Sequence, residues 1–353
     1  METNAIPALK PLRLGELFDQ AVRLYRRNFM AFFGIIAMVY IPYAVLQIAF
    51  SLVTSLGLRS VRTAPESYIF SSAYWLTLFG GFTMPVIRFV FVNGLGTAAL
   101  TYAIARNYLG QKVGILGSYR HIGSLWVKLL LVWLLFSALL VAAFIWGLVP
   151  CVGWLTGMGL LVFLLGVVAP LLPAVVVIEK TGVVGALVRA WDLARQRFWW
   201  LLGFAVILYL FNLLVAAGPT WLASYLIGLV FGRASSLTPS SAVTVAGLLG
   251  GVAGSLIELV ILPLPITVWA LTYFDLRVRS EGFDLALLAL DPSADAELDF
   301  ARLPAAAPSR KWLTGEDVGR LLVVSLVGMG IYALLFGVLM LIGVGVSSFT
   351  GGL

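Results

Sequence analysis

The stretch LWVKLLLVWLLFSALLVAAFIWGL, residues 125–148, decides the fold class. Its only charge is Lys128, close to its start. A helix rises 1.5 Å per residue, so about 20 apolar residues cross the hydrocarbon core of a bilayer, and this run supplies them. A short turn, PCVGW at 150–154, leads into a second apolar run at about 156–178. Two such runs joined by so short a turn read as a membrane hairpin.

Working outward, the same signature recurs at about 29–56, 82–105, 198–217, 243–274 and 320–346. Of 353 residues, 61% are hydrophobic and 11% are charged, whereas soluble domains carry roughly 25% charged residues. Mean hydropathy is +1.03. The 36 Gly and 15 Pro fit helices that pack closely and are sometimes broken, as membrane helices tolerate. The expected fold is all-α: a polytopic membrane helix bundle with a six-span, internally repeated core, interfacial amphipathic helices and a seventh span.

The connecting segments differ in kind. Residues 12–28, LRLGELFDQAVRLYRRN, place Leu14, Leu17, Phe18, Ala21, Leu24 and Tyr25 at helical spacing, with Arg13, Glu16, Asp19, Arg23, Arg26 and Arg27 between them. Such a helix lies in the headgroup plane. The basic stretches 106–124 and 179–197 are of the same type. Residues 1–11, the loop at 57–72 and the loop containing Arg233 read as polar connections. The division is a membrane domain at 1–285, a linker at 286–315 and a C-terminal span within 316–353. The linker is acidic at Asp291, Asp295, Glu297 and Asp299, then rich in Ala and Pro. Thr314 with Asp317 supplies an N-cap signal for the last span.

The net charge of +7 has a membrane explanation. Lys and Arg number five in 1–28, four each in 106–128 and 179–197, and six in 275–320, out of 23 in the chain. The alternate loops hold Arg59, Arg62 and Arg233. By the positive-inside rule the amino terminus and the basic stretches face the cytoplasm, and nucleic acid is not needed as a partner. Cys151 is the single cysteine, so an intramolecular disulfide is excluded. The first apolar run follows a charged stretch and is expected to act as an uncleaved insertion signal.

Two pairs of segments match at nearly equal offsets. ALTYAIAR at 99–106 resembles ALTYFDLR at 270–277, and RRNFMAFFG at 26–34 resembles RQRFWWLLG at 195–203. The unit reads as an amphipathic helix, an outward span, a loop and a return span. A weaker copy spans 114–180, giving three parallel hairpins.

At YFDLRVRSEGFDL, 273–285, the chain resembles the bacterial family named for the membrane domain of glycerophosphoryl diester phosphodiesterases, whose sixth span ends in a segment like YYDLRVRKEGFDLE. Ser280, Phe274 and Ala286 depart from that pattern. RAWDLARQRFWW at 189–200 and GELFDQAVRLYRRNF at 15–29 are similar to two further family segments, Asp192 and Gln196 departing. The resemblance covers about 12–285 and implies a protein of the bacterial cytoplasmic membrane. It does not imply phosphodiesterase activity. In fused members that chemistry belongs to a separate soluble barrel, which needs His and carboxylates around a metal, and this chain has one His.

The candidate residues are charges in or beside spans. Under the repeat, Arg88 aligns with Leu259 and Glu258 with Ile87, at equal depth and about one turn inside the outer boundary. Two readings stand: an Arg88–Glu258 ion pair, with or without a polar cavity for an ion, proton or lipid headgroup, and two charges snorkelling separately to headgroups. Asp275, Arg277, Arg279, Glu281 and Asp284 form a mixed-charge cluster, against which the amphipathic stretch carrying Arg189, Asp192, Arg195 and Arg197 is expected to pack. His121 reads as a surface residue, and Cys151 sits in a turn with no base placed near it. GLLGGVAG at 247–254 reads as a close-packing face, lacking the Lys-Ser/Thr ending of a phosphate loop. No cofactor and no catalytic set is expected. The leading expectation is a non-enzymatic scaffold or accessory factor engaging membrane lipids or partner proteins at its cytoplasmic face. The alternative is a transporter or lipid-handling protein with a cavity near Arg88 and Glu258. Oligomeric state is left open.

Overall fold

The computed structural model describes residues 11–61, 72–111, 113–179, 181–232, 239–288 and 313–350. Residues 1–10, 62–71, 233–238 and 289–312 lie outside them, and with them most of the polar lead, the two polar loops and the acidic linker read from the sequence. The chain is all-α, and among the described residues seven helices are long and apolar enough to cross a membrane: Phe29–Ser55, Tyr74–Tyr108, Trp126–Gly147, Val152–Ile178, Phe198–Phe231, Val245–Glu281 and Gly315–Leu334. It is a multi-pass membrane protein.

In chain order the helices are α1 (Leu14–Arg27), α2 (Phe29–Val61), α3 (Ser72–Ile87), α4 (Thr97–Tyr108), α5 (Ile115–Gly123), α6 (Trp126–Gly147), α7 (Val152–Phe163), α8 (Ala169–Ile178), α9 (Val183–Gln196), α10 (Phe198–Asn212), α11 (Gly218–Gly232), α12 (Pro239–Ile261), α13 (Pro263–Glu281), α14 (Phe283–Leu288) and α15 (Gly315–Thr350). Wider π-helical turns join α3 to α4 at Arg88–Gly96, α7 to α8 at Leu164–Val168, and α10 to α11 at Leu213–Ala217.

The three short amphipathic helices α1, α5 and α9 each feed directly into a span. The corner residues share one backbone conformation: Asn28 at φ −117°, ψ 25°, Leu125 at φ −108°, ψ 1°, and Arg197 at φ −127°, ψ 45°. Each amphipathic helix passes into a span through a corner of only one or two residues. The buried faces explain why these helices stay down. Leu17 and Ala21 of α1, Ile122 of α5, and Ala186, Ala190 and Leu193 of α9 are nearly inaccessible. Burying a leucine fully is worth about 1.5–3 kcal/mol. Polar ties add direction. The Tyr119 hydroxyl on α5 donates to the Ile35 carbonyl at 2.7 Å. The Tyr25 hydroxyl on α1 donates to the Val260 carbonyl at 2.5 Å. Val260 is among the last residues of α12, whose carbonyls lack helical partners because the chain breaks before Pro263. Burial pushes the Tyr25 phenol up to about 12, so it stays a donor.

Three boundaries differ from the sequence expectation. The second span begins at Ser72, not near residue 82. The fifth does not stop at the Gly218–Pro219 pair but continues to Gly232, because the wide turn Leu213–Ala217 lies directly before the proline that lacks an N–H. The sixth is two helices meeting at Leu262, and it runs on to Glu281.

Small residues set the tightest contacts, as the glycine pattern predicts. A methyl group at Gly250 would sit 3.0 Å from Ser224 Oγ, and one at Gly254 would sit 3.0 Å from Thr220 Cγ2, so α12 packs closely on α11. The seventh span crosses α7 at Gly159, where a methyl group would collide with the Leu321 carbonyl. The Gly159 N–H donates to Ser325 Oγ at 2.6 Å. The expected cap is present: the Thr314 hydroxyl and Asp317 exchange hydrogen bonds at 2.8 and 3.3 Å across the first turn of α15.

Candidate functional site

The motif at 273–285 ends α13, and its charges divide by helical geometry. Residues two apart on a helix point about 200° apart, and residues four apart share a face. Arg277 and Glu281 therefore share one face, and Asp275 and Arg279 share the opposite one.

On the first face a closed network forms. Glu179, the residue that follows α8, accepts from the Tyr273 hydroxyl at 2.8 Å and from Arg189 Nε at 3.0 and 3.1 Å. Arg189 reaches on to Glu281. Glu281 in turn accepts from Arg277 Nε at 2.9 Å, and Arg277 donates to the Tyr273 oxygen at 3.3 Å. The Arg277 guanidinium also lies 4.4 Å from the Phe283 ring centroid. Two arginines and two glutamates cancel in charge, and Arg277 is 1% exposed. Burial alone would pull the Arg189 guanidinium down, but Glu179 and Glu281 outweigh it and hold the group above its ordinary value. The network joins the fourth span, α9 and the sixth span.

On the opposite face the Asp275 carboxylate accepts from the Leu12 N–H at 2.8 Å and from Arg279 Nε at 2.9 and 3.0 Å. Arg279 donates to the Leu12 carbonyl at 2.6 Å. A charged fork thus grips the backbone just before α1. Asp284 sits in the first turn of α14, where a carboxylate complements the helix dipole.

The expectation that Arg189, Asp192 and Arg195 all pack against this cluster is corrected in part. Arg189 does. Asp192 pairs with Arg195 at 3.0 Å, and Arg195 also meets Asp317 at the start of α15 at 3.5 Å. Arg320 donates to the Arg195 carbonyl at 3.1 Å. The last turn of α9 therefore ties down the start of the seventh span, which packs along α7 and which the sequence reading treated as an addition. Lys128 also has a role the sequence did not suggest: its ammonium donates to the Val176 carbonyl at 3.2 Å and so caps the end of α8.

Arg88 and Glu258 form an ion pair between the second and sixth spans. Glu258 also accepts from the Tyr40 hydroxyl of the first span at 2.7 Å, and the Arg88 guanidinium lies 5.7 Å from the Tyr43 ring centroid. Separate snorkelling is thereby overturned. The depth expected from the sequence is corrected too. The second span begins earlier than read and the sixth ends later, so Arg88 and Glu258 lie near the middle of the helices Tyr74–Tyr108 and Val245–Glu281 rather than one turn from an end. The pair is not sealed: the two side chains are 34% and 33% exposed. Glu258 borders a cleft of about 690 Å³ between the first, fifth and sixth spans, whose wall includes Tyr40, Gln47, Asn212, Ser255 and the glycines of α12.

His121 is not a free surface residue. Its ring stacks on Tyr102 at 4.1 Å and 11°, and burial, followed by the Arg106 charge, lowers its pKa. Cys151 is exposed at a turn residue with φ +62°. Among the described residues, no three His, Cys, Asp or Glu side chains converge as metal ligands would.

Sequence reasoning missed Glu179, Tyr273 as a participant, and Tyr40. Glu179 carried a signal, being a carboxylate placed where an apolar span ends. Tyr273 carried one too, four residues before Arg277. Tyr40 is one aromatic among many in an apolar helix and carried none. The chain matches no family model, no curated protein and no solved structure.

Proposed function

We propose that this is a non-enzymatic protein of the bacterial cytoplasmic membrane, a scaffold or accessory factor that engages anionic lipids or partner proteins at its basic end. The observation that carries this is the sorting of arginines there. Arg189 and Arg277 are buried and neutralised by Glu179 and Glu281, whereas Arg23, Arg26, Arg27 and Arg120 remain exposed on the amphipathic helices. The buried set fixes the helices, and the exposed set offers charge to whatever lies against them. The positive-inside rule places this end in the cytoplasm. The carboxylates Glu179, Glu281 and Asp275 are each engaged by arginine, which argues against an acid or base role. Three corners of one conformation, and an interruption midway along each return span, support the reading of three parallel hairpins. Kinship with the phosphodiesterase membrane-domain family remains part of this proposal, resting on the 273–285 motif.

Native mass spectrometry after gentle extraction tests the reading. The triple variant Arg23→Gln, Arg26→Gln, Arg27→Gln should fold as the wild type does and lose bound anionic lipid or partner protein. Unchanged retention would overturn the role given to the basic end.

The cleft beside Glu258 favours a second reading, that the protein handles a lipid within the membrane. Its polar wall lies between spans rather than at the basic end.

A further inference from the structure

We propose that the cleft beside Glu258 binds a lipid with an uncharged, hydroxyl-rich head. This rests on the lipid-handling reading and names its ligand class.

The volume, about 690 Å³, lies in the range of small-molecule sites, roughly 300–1,000 Å³. Its chemistry follows from which hydrogens are already used. Tyr40 donates to Glu258 at 2.7 Å, Thr220 to the Ala216 carbonyl at 2.8 Å, and Ser255 to the Gly251 carbonyl at 2.9 Å. Each of these hydroxyls has spent its one proton and keeps oxygen lone pairs free. With the Glu258 carboxylate these groups present acceptors, whereas the amides of Gln47 and Asn212 offer N–H donors as well as oxygen acceptors, so the wall calls for a ligand that both donates and accepts, as hydroxyls do. Among the described residues, the side-chain amides of Gln47 and Asn212 meet no hydrogen-bonding partner, and in a membrane such groups need one.

Charge narrows the class further. Glu258 is the only ionisable carboxylate in the wall, and Arg88 neutralises it from behind without lining the cleft. A phosphate or carboxylate head would meet no lysine or arginine there. An ammonium head would add a net positive charge near mid-membrane, where a lone charge costs roughly 2.5–3.5 kcal/mol. Hydroxyls satisfy the acceptors and leave the charge balance untouched. A lipid is chosen over a soluble polyol because the cleft lies between spans whose neighbouring surfaces, at Leu214, Trp221 and Leu222, are apolar and strongly exposed. Acyl chains have somewhere to lie.

The test uses the full-length protein in detergent with radiolabelled monoglucosyl diacylglycerol as probe. Phosphatidylglycerol and free glucose serve as competitors. Gly251→Leu is the blocking variant, because the structure leaves open space around a side chain there. Saturable glucolipid binding is expected, displaced by neither competitor and weakened about tenfold or more in Gly251→Leu at an unchanged melting temperature. If Gly251→Leu melts lower, Gln47→Leu on the facing wall replaces it, with the same expected loss. Displacement by phosphatidylglycerol that depends on Gly251 would overturn the head-group assignment and leave lipid handling standing. Displacement by free glucose would overturn the lipid in favour of a soluble polyol. Binding that neither variant affects would remove both the ligand class and the lipid-handling reading.

Discussion

Two clusters in this molecule pair arginine with glutamate and tyrosine, and they differ in closure. Around Glu179 the carboxylates and guanidiniums are buried, and Arg189 and Arg277 are held from several sides. Around Glu258 the same residue types meet, but each charged side chain is about one-third exposed and one flank is a cleft. The contrast separates two uses of an expensive group. A closed network removes the desolvation cost internally and holds helices in place. An open one leaves acceptors unspent, which is what a binding site requires.

Breaking the closed network should have the largest effect. Arg277→Leu takes from Glu281 one of its two arginines, removes a partner of Glu179 and Tyr273, and leaves the buried network with a net negative charge. Loss of one member of a buried ion pair costs about 3–5 kcal/mol, so the variant should show a large fall in melting temperature and in folded yield in detergent. A stability close to that of the wild type would mean that the network is ornamental. Gly159→Leu comes next. It pushes α15 off α7 and should cost about 1–3 kcal/mol, the scale of overpacking. Limited proteolysis should then degrade the seventh span faster than in the wild type, while the six-span core survives.

Breaking the open pair should cost less. Glu258→Gln should lower stability by about 1 kcal/mol, the scale of polar contacts between membrane helices. The charge exchange Arg88→Glu with Glu258→Arg should restore most of it. A loss as large as that of Arg277→Leu would erase the distinction drawn between the two clusters.

The smallest effect concerns His121. Its folded pKa is lowered from 6.5 by burial and by Arg106, so the unfolded chain takes up the proton first. The associated stability is present above pH 6.5 and is lost as pH falls through 6.5 toward the folded value. Melting curves should therefore shift down on acidification through this window, and less so in His121→Phe. An identical pH response would remove the His121–Tyr102 stack as its source.

Much of this contrast was legible before any coordinates. Arg88 and Glu258 stood out because charges in apolar runs are costly, and the repeat put them at one depth. The pairing at positions 275 and 279, and at 277 and 281, follows from four-residue spacing alone. Glu179 was hidden because its partners lie about ten and one hundred residues away in sequence, beyond the reach of any local pattern. The docking of the seventh span escaped for a similar reason. Its contact rests on Gly159 and Ser325, which are unremarkable in their own segments. The start of the second span and the end of the fifth were misplaced: Ser72–Ile87 and Gly218–Gly232 carry Gly and Pro within continuous helix, as membrane helices tolerate.

Hydrogen–deuterium exchange in lipid nanodiscs can compare 181–196 and 273–281, which carry the closed network, with 212–224 and 246–258, which line the cleft. Slow exchange is expected in the first pair of segments under all conditions. Faster exchange is expected in the second pair, slowed when glucolipid is added to the nanodisc. Equal protection of both pairs, unmoved by lipid, would contradict the division into a closed structural network and an open site.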